Sequence, residues 1–125
     1  MIIFESATIF CEATLEYYVD GYFTIDILME IEDFKGRRAF CLSHENLIKL
    51  ISQSKEILDS LEGSTTLEDY DSESQISFHL NRTQTDISGV FCNPSGDLSL
   101  NFAFATDQTF ISNFVSFLNG ISRIA

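Results

Sequence analysis

No stretch of this sequence approaches the run of about 20 apolar residues that a membrane-spanning helix needs, so no spanning helix is expected. Positive charge is scarce. Seven Lys and Arg stand against 19 Asp and Glu, a net charge of -12. Such a chain repels nucleic acid and anionic membrane, and no basic patch with interleaved aromatics offsets the repulsion. A charged partner is therefore expected to be a basic protein; the alternative is that the charge serves solubility alone. Cysteine is also sparse. Cys11, Cys41 and Cys92 are odd in number and form no C-x-x-C pair, which favours reduced thiols in a cytosol over a disulfide framework. The opening Met1–Glu5 holds neither a basic segment nor an apolar run of signal-peptide length, so a cytoplasmic location is expected.

The signatures of catalysis are missing too. There is no glycine-rich phosphate loop and no glycine-rich oxyanion turn. Cys92 and His79 are a nucleophile and a base by residue type, but nothing in their spacing supports a pair. His44 reads as a helix-start residue and His79 as a solvent-facing strand residue. Asp69, Asp71 and Glu73 alternate like calcium ligands, yet the glycine and the bidentate glutamate of a twelve-residue calcium loop are absent. No cysteine–histidine cluster has zinc-ligand spacing. No cofactor and no enzymatic activity are expected.

What is present is a clear pattern of strands in an ordinary globular composition, with 45% hydrophobic residues in 125, enough for a single domain over 1–125. From about Thr8 to Tyr18, Ile9, Cys11, Ala13, Leu15 and Tyr17 alternate with polar residues. From about Tyr22 to Asp33, Phe23, Ile25, Ile27, Met29 and Ile31 do the same. Period-two alternation of this length predicts antiparallel strands with one buried face. A three-residue loop, Val19-Asp20-Gly21, would match the apolar faces, setting Tyr17 opposite Phe23, Leu15 opposite Ile25, and Cys11 opposite Met29. A similar loop at Phe34-Lys35-Gly36 would pair Ile31 with Ala39 and Met29 with Cys41, and would place Arg38 beside Glu32. Cys11 and Cys41 would then flank Met29 about 9 to 10 Å apart, too far for a disulfide.

A helix follows, with Ser43 as N-cap, an apolar stripe from Leu47 to Leu61 and a stop at Gly63. The polar segment "STTLEDYDSESQ" reads as a loop, with room for a short strand. Three further strands are centred on Phe78, Gly89 and Phe102, the last two joined by an Asn93-Pro94-Ser95-Gly96 turn. Asp107 is expected to cap a final helix whose stripe runs from Phe110 to Ile121. The expected class is α+β: a curved antiparallel sheet of about six strands with two helices on one face, in the order βββαβββα. Two strand-to-helix junctions look alike, which a faint internal repeat and a common architecture explain equally well.

The tyrosines leave the core pattern. Tyr18 and Tyr22 are expected opposite each other on the outer face of the first hairpin, and Tyr70 sits within "LEDYDSE". Carboxylates gather at the same places. Tyrosine on a rigid element is a common interface anchor, and nearby carboxylates steer a basic partner. The candidate contact residues are therefore Tyr18, Asp20, Tyr22, Asp26 and Glu30, with Glu68, Asp69, Tyr70 and Asp71 as a second patch. The alternative is a solvated sheet face edged by tyrosines.

The two junctions, "AFCLSHENLIKLISQSKEIL" and "LSLNFAFATDQTFISNFVSFLNGI", together with the order of elements over nearly the whole chain, resemble the small acidic immunity proteins of bacterial polymorphic and contact-dependent toxin systems, in particular those paired with wall-associated toxins. The resemblance implies a cytoplasmic, non-enzymatic protein that binds one cognate toxin and blocks it. It supplies no binding residues; those above come from the surface argument. The other readings are an acidic secretion chaperone holding a partner segment, and a small enzyme of unknown type.

Overall fold

The computed structural model describes residues 1–124. Strands β1 (Ile2–Glu5), β2 (Ile9–Val19), β3 (Tyr22–Ile31) and β4 (Phe34–Ser43) lead into helix α1 (His44–Ser60). The pattern then repeats: β5 (Glu62–Glu68), β6 (Gln75–Asn81), β7 (Gln84–Cys92) and β8 (Ser99–Asp107) lead into α2 (Thr109–Ser122). Each set of four strands forms its own antiparallel sheet in sequential order. The α+β class is as expected, but the single sheet of about six strands is corrected to two four-stranded sheets, and the order βββαβββα to ββββα repeated. Two strands were hidden for different reasons. β1 has four residues, too few to display alternation, although Ile3 is fully buried. β5 is polar in composition, but its threonines are β-branched, and Thr65 and Leu67 point inward.

The inward faces of both sheets and the apolar faces of both helices share one cluster that includes Phe23, Phe40, Leu67, Leu80, Phe110 and Leu118. Each such side chain contributes about 1.5–3 kcal/mol by leaving water. Helix α1 lies against α2 and along β5, and α2 reaches β1. Ser43 caps α1 as its position predicts, accepting from the Asn46 N–H at 3.1 Å. Leu61, in the left-handed conformation at φ 58°, ends that helix two residues before the expected glycine. In the Asn93–Gly96 turn the Gly96 N–H donates to the Asn93 carbonyl at 2.9 Å.

The first hairpin reaches the matched register by another route. Its turn has two residues, Asp20 and Gly21, both at positive φ (53° and 83°), and Val19 faces Tyr22. Such a turn twists in the same sense as its flanking strands. The extra residue is Glu16, a β-bulge in β2 between Leu15 and Tyr17. Below the bulge Leu15 faces Ile25, Ala13 faces Ile27, Cys11 faces Met29 and Ile9 faces Ile31, as expected. Above it the faces are exchanged. Tyr18 turns inward opposite Phe23, with ring centroids 4.5 Å apart, while Tyr17 turns outward opposite Thr24.

The second hairpin corrects its expected register by a larger step. It turns at Glu32-Asp33, with Glu32 at φ 54°, and Ile31 faces Phe34. Gly36 is a packing glycine inside β4 and not a turn residue: a Cβ there would lie 2.6 Å from Leu100 Cδ2. Met29 consequently faces Gly36, and Cys41 faces Thr24 on the other side of the sheet. The expected row of Cys11, Met29 and Cys41 does not form. All three cysteines are free. Arg38 faces Ile27 and pairs with Asp69, not with Glu32.

Candidate functional site

The outward face of the first sheet is built in cross-strand rows. Phe10, Glu30 and Lys35 form one, Glu12, Leu28 and Arg37 the next, then Thr14, Asp26 and Ala39, then Tyr17, Thr24 and Cys41, and finally Val19, Tyr22 and Ser43. The face therefore changes along its length. At one end carboxylates stand beside bases: Lys35 Nζ lies 3.5 Å from Glu30 and Arg37 Nε 3.4 Å from Asp26. The sequence alone does not place these bases here, because Gly36 resembles a turn glycine and shifts the expected register of β4. The Lys35–Glu30 pair is solvated on both sides and holds the strands together weakly, at about 0–1 kcal/mol, whereas the Asp26 side chain is only 16% exposed beside its exposed Arg37.

The other end is aromatic. Tyr17 and Val19 are 56% and 54% exposed, and Tyr22 stands beside them. Tyr70, 70% exposed, comes from the second repeat and stacks obliquely on Tyr22 with centroids 5.5 Å apart. Glu16, Asp20 and Asp71 are exposed around this tip. Two groups of candidates separated by almost 50 positions in sequence are thus brought into one patch.

The loop after β5 reaches the tip because Asp69 fastens it. The Asp69 side chain is 1% exposed. It accepts from the Cys41 N–H at 2.8 Å, from Ser72 Oγ at 2.6 Å and from the Asp71 N–H at 3.3 Å, and it faces Arg38 at 3.8 Å. The Tyr70 N–H donates to the Cys41 carbonyl at 3.0 Å, so both hydrogen-bonding groups of Cys41 on the edge of β4 are closed by the loop. Ser74 secures the far side, accepting from the Cys92 N–H at 2.9 Å and donating to its carbonyl at 3.1 Å. Among the described residues Arg38 Nε is buried without a partner.

Among the candidates, Tyr22, Tyr70, Asp20 and Asp71 lie at the tip, and Asp26 and Glu30 lie further down the same face beside their bases. Tyr18 faces the core, and Asp69 is enclosed by its hydrogen bonds. Glu68 lines a separate groove of about 380 Å³ between α1 and β5. The sequence points Tyr17 inward because the bulge at Glu16 is not visible in it, and puts Val19 in the turn, which in fact holds only Asp20 and Gly21.

Burial shields Cys11 and Cys92 from reaction, while Cys41 is only partly buried. Burial, and secondarily the Glu12 carboxylate, push the Cys11 thiol up to about 12. Burial and then Asp71 and Asp69 raise that of Cys41. Cys92 is buried against Ser74. A raised pKa keeps a thiol protonated and weakly nucleophilic at neutral pH. Among the described residues no three His, Cys, Asp or Glu side chains converge as metal ligands, and no helix is long and apolar enough to cross a membrane.

No curated protein matches the sequence. A family model does: residues 12–124 match the immunity protein WapI-like family, a span running from β2 through α2. With nearly the whole chain covered, the protein belongs to the WapI-like immunity protein family.

Proposed function

We propose that this chain is a cytoplasmic, non-enzymatic immunity protein that neutralises a cognate toxin by binding it directly through the tyrosine tip of the first sheet. Tyr17, Tyr22 and Tyr70 are the anchors, and Glu16, Asp20 and Asp71 steer a basic partner toward them. The observation that carries this reading is the Tyr22–Tyr70 stack. It is an exposed aromatic pair assembled from both repeats and held by a buried latch, which is a costly arrangement for a surface with no partner. Rigid tyrosines supply contact area at little entropic cost, and aromatic anchors dominate interfaces. Asp26 and Glu30 act at longer range, weakened by Arg37 and Lys35. Tyr18 and Asp69 support the surface from beneath. Both repeats act as one folded unit, since the site needs both.

The test is calorimetric titration of the chain with the toxin domain whose gene neighbours its own, alongside protection of cells that express that domain. Tight binding and protection are expected. Protection without binding, through catalytic turnover of the toxin or its product, would overturn the proposal.

A further inference from the structure

The two sheets have four edge strands, and an uncovered edge offers unpaired backbone groups to another strand. The other elements screen three of the four at least in part. On β1, the Ile3 carbonyl accepts from Asn113 Nδ2 of α2 at 2.8 Å. On β4, Cys41 is closed by Asp69 and Tyr70. Helix α1 runs alongside β5 and screens it sterically, joined to it by a side-chain bond from Thr65 Oγ1 to Gln53 Oε1 at 2.8 Å. β8 is the exception. It is the last strand of its sheet, and among the described residues nothing bonds its outer edge from Leu100 to Thr106. The repeat sharpens the contrast: Ala103-Phe104-Ala105 of β8 stands where Ala39-Phe40-Cys41 stands in β4, but only Cys41 has a latch.

None of the usual protections is present on β8. Its nine-residue register with β7 is unbroken by any bulge, and Ser99–Thr106 contain no charge and no proline. From Leu98 to Ser122 the one charged residue is Asp107, in a chain of net charge -12. This neutrality makes the edge a poor surface for a basic partner. It also makes it the place where two copies of an acidic chain meet with least repulsion.

We propose that β8 pairs antiparallel with β8 of a second copy, with Ala103 on the two-fold axis. This register overlaps all of Ser99–Asp107 and keeps the buried faces of both sheets on the same side. It sets Phe102 of one copy opposite Phe104 of the other, a favourable cross-strand aromatic pair, and opposes no two like charges. A trough of about 250 Å³ lined by Met29, Ile31, Phe34, Leu100 and Phe102 borders the edge and gives apolar side chains of the second copy a dry surface. The contact is isologous, so assembly stops at a dimer. It leaves the tyrosine tip free, and it does not depend on the toxin-binding proposal.

Sedimentation equilibrium of the chain alone tests this. The expected species has twice the 14.1 kDa mass of the chain. Ala103→Lys places two ammonium groups face to face on the axis and should weaken association at least about tenfold with an unchanged far-ultraviolet spectrum. Register is read by cross-linking in a Cys41→Ser background. Opposed Cα atoms on the axis lie within disulfide range, so Ala103→Cys should form a covalent dimer on mild oxidation. Ala105→Cys faces Asn101 and should not. These two variants decide the question even if Ala103→Lys fails to fold. A monomer at about 0.1 mM, or equal cross-linking of the two cysteine variants, overturns the proposal. So does loss of toxin binding by a folded, monomeric Ala103→Lys when the native chain is also a monomer, because the edge would then belong to the toxin.

Discussion

Asp69→Ala removes the latch that joins the two repeats at the tip. Its carboxylate accepts three hydrogen bonds and faces Arg38. Hydrogen bonds to a charged group contribute about 1.5–3 kcal/mol each, and a buried pair broken on one side costs about 3–5 kcal/mol. Two features reduce the sum. The Asp71 N–H is exposed enough to take water, and the Arg38 side chain, 21% exposed, can rehydrate. The Cys41 N–H on β4 and the already partnerless Arg38 Nε have less recourse. A net loss of about 2–4 kcal/mol follows, read by urea denaturation at pH 7 as a lower midpoint with an unchanged slope. Asp69→Asn keeps the shape and should lose less. Toxin affinity should fall as well, because Tyr70 no longer stands on Tyr22. A loss below about 0.5 kcal/mol for Asp69→Ala would refute the latch, since that is the range of an ordinary surface change.

Gly89→Ala should destabilise by about 3 kcal/mol or more, because its Cβ would lie 2.3 Å from the Gln75 carbonyl oxygen, where neither backbone can give way; a stability within 1 kcal/mol of native, by the same denaturation, would contradict the strand packing. The raised Cys11 thiol gives stability a dependence on alkaline pH. The folded thiol titrates at about 12, against 9.0 for the unperturbed group, so its contribution is complete below pH 9 and is lost as pH rises toward 12. Cys11→Ala should flatten that alkaline slope in denaturant titrations, and an unaltered slope would show that other groups cause it. Reversal of Asp26 and Glu30 to lysine should slow toxin association and reduce its salt dependence, with dissociation nearly unchanged. The thermal midpoint should fall mainly through Asp26, whose side chain is 16% exposed, and little through Glu30, whose pair is solvated.

The legible parts of the fold were those where burial repeats with a fixed period. Ile9 to Leu15 and Ile25 to Ile31 alternate cleanly, and their register was read correctly. The tip was not legible, because a bulge at Glu16 leaves no mark in composition: acidic and aromatic residues surround it on both sides. Gly36 misled for a related reason. Glycine serves turns and close packing alike, and only the approach of Leu100 and Phe91 distinguishes them. That error carried Cys41 and Arg38 to the wrong face and hid the bases beside Asp26 and Glu30. The pairing of Tyr22 with Tyr70 lay beyond sequence reading altogether. It depends on a bond from Asp69 to Cys41, 28 residues away, and no local pattern encodes such a contact. The concentration of tyrosine and carboxylate was nonetheless visible at both places.

The most direct test of the account is the affinity of a folded Tyr22→Ala/Tyr70→Ala double variant for the cognate toxin domain. Both rings are exposed, so the thermal midpoint should stay within a few degrees of native, less than the shift of about 4 °C that a 1 kcal/mol loss would cause. As paired anchors they should together cost about 3 kcal/mol of binding, a weakening of more than a hundredfold, expressed mainly as faster dissociation. Native affinity in the folded double variant would contradict the account and move the toxin-binding surface away from the tip.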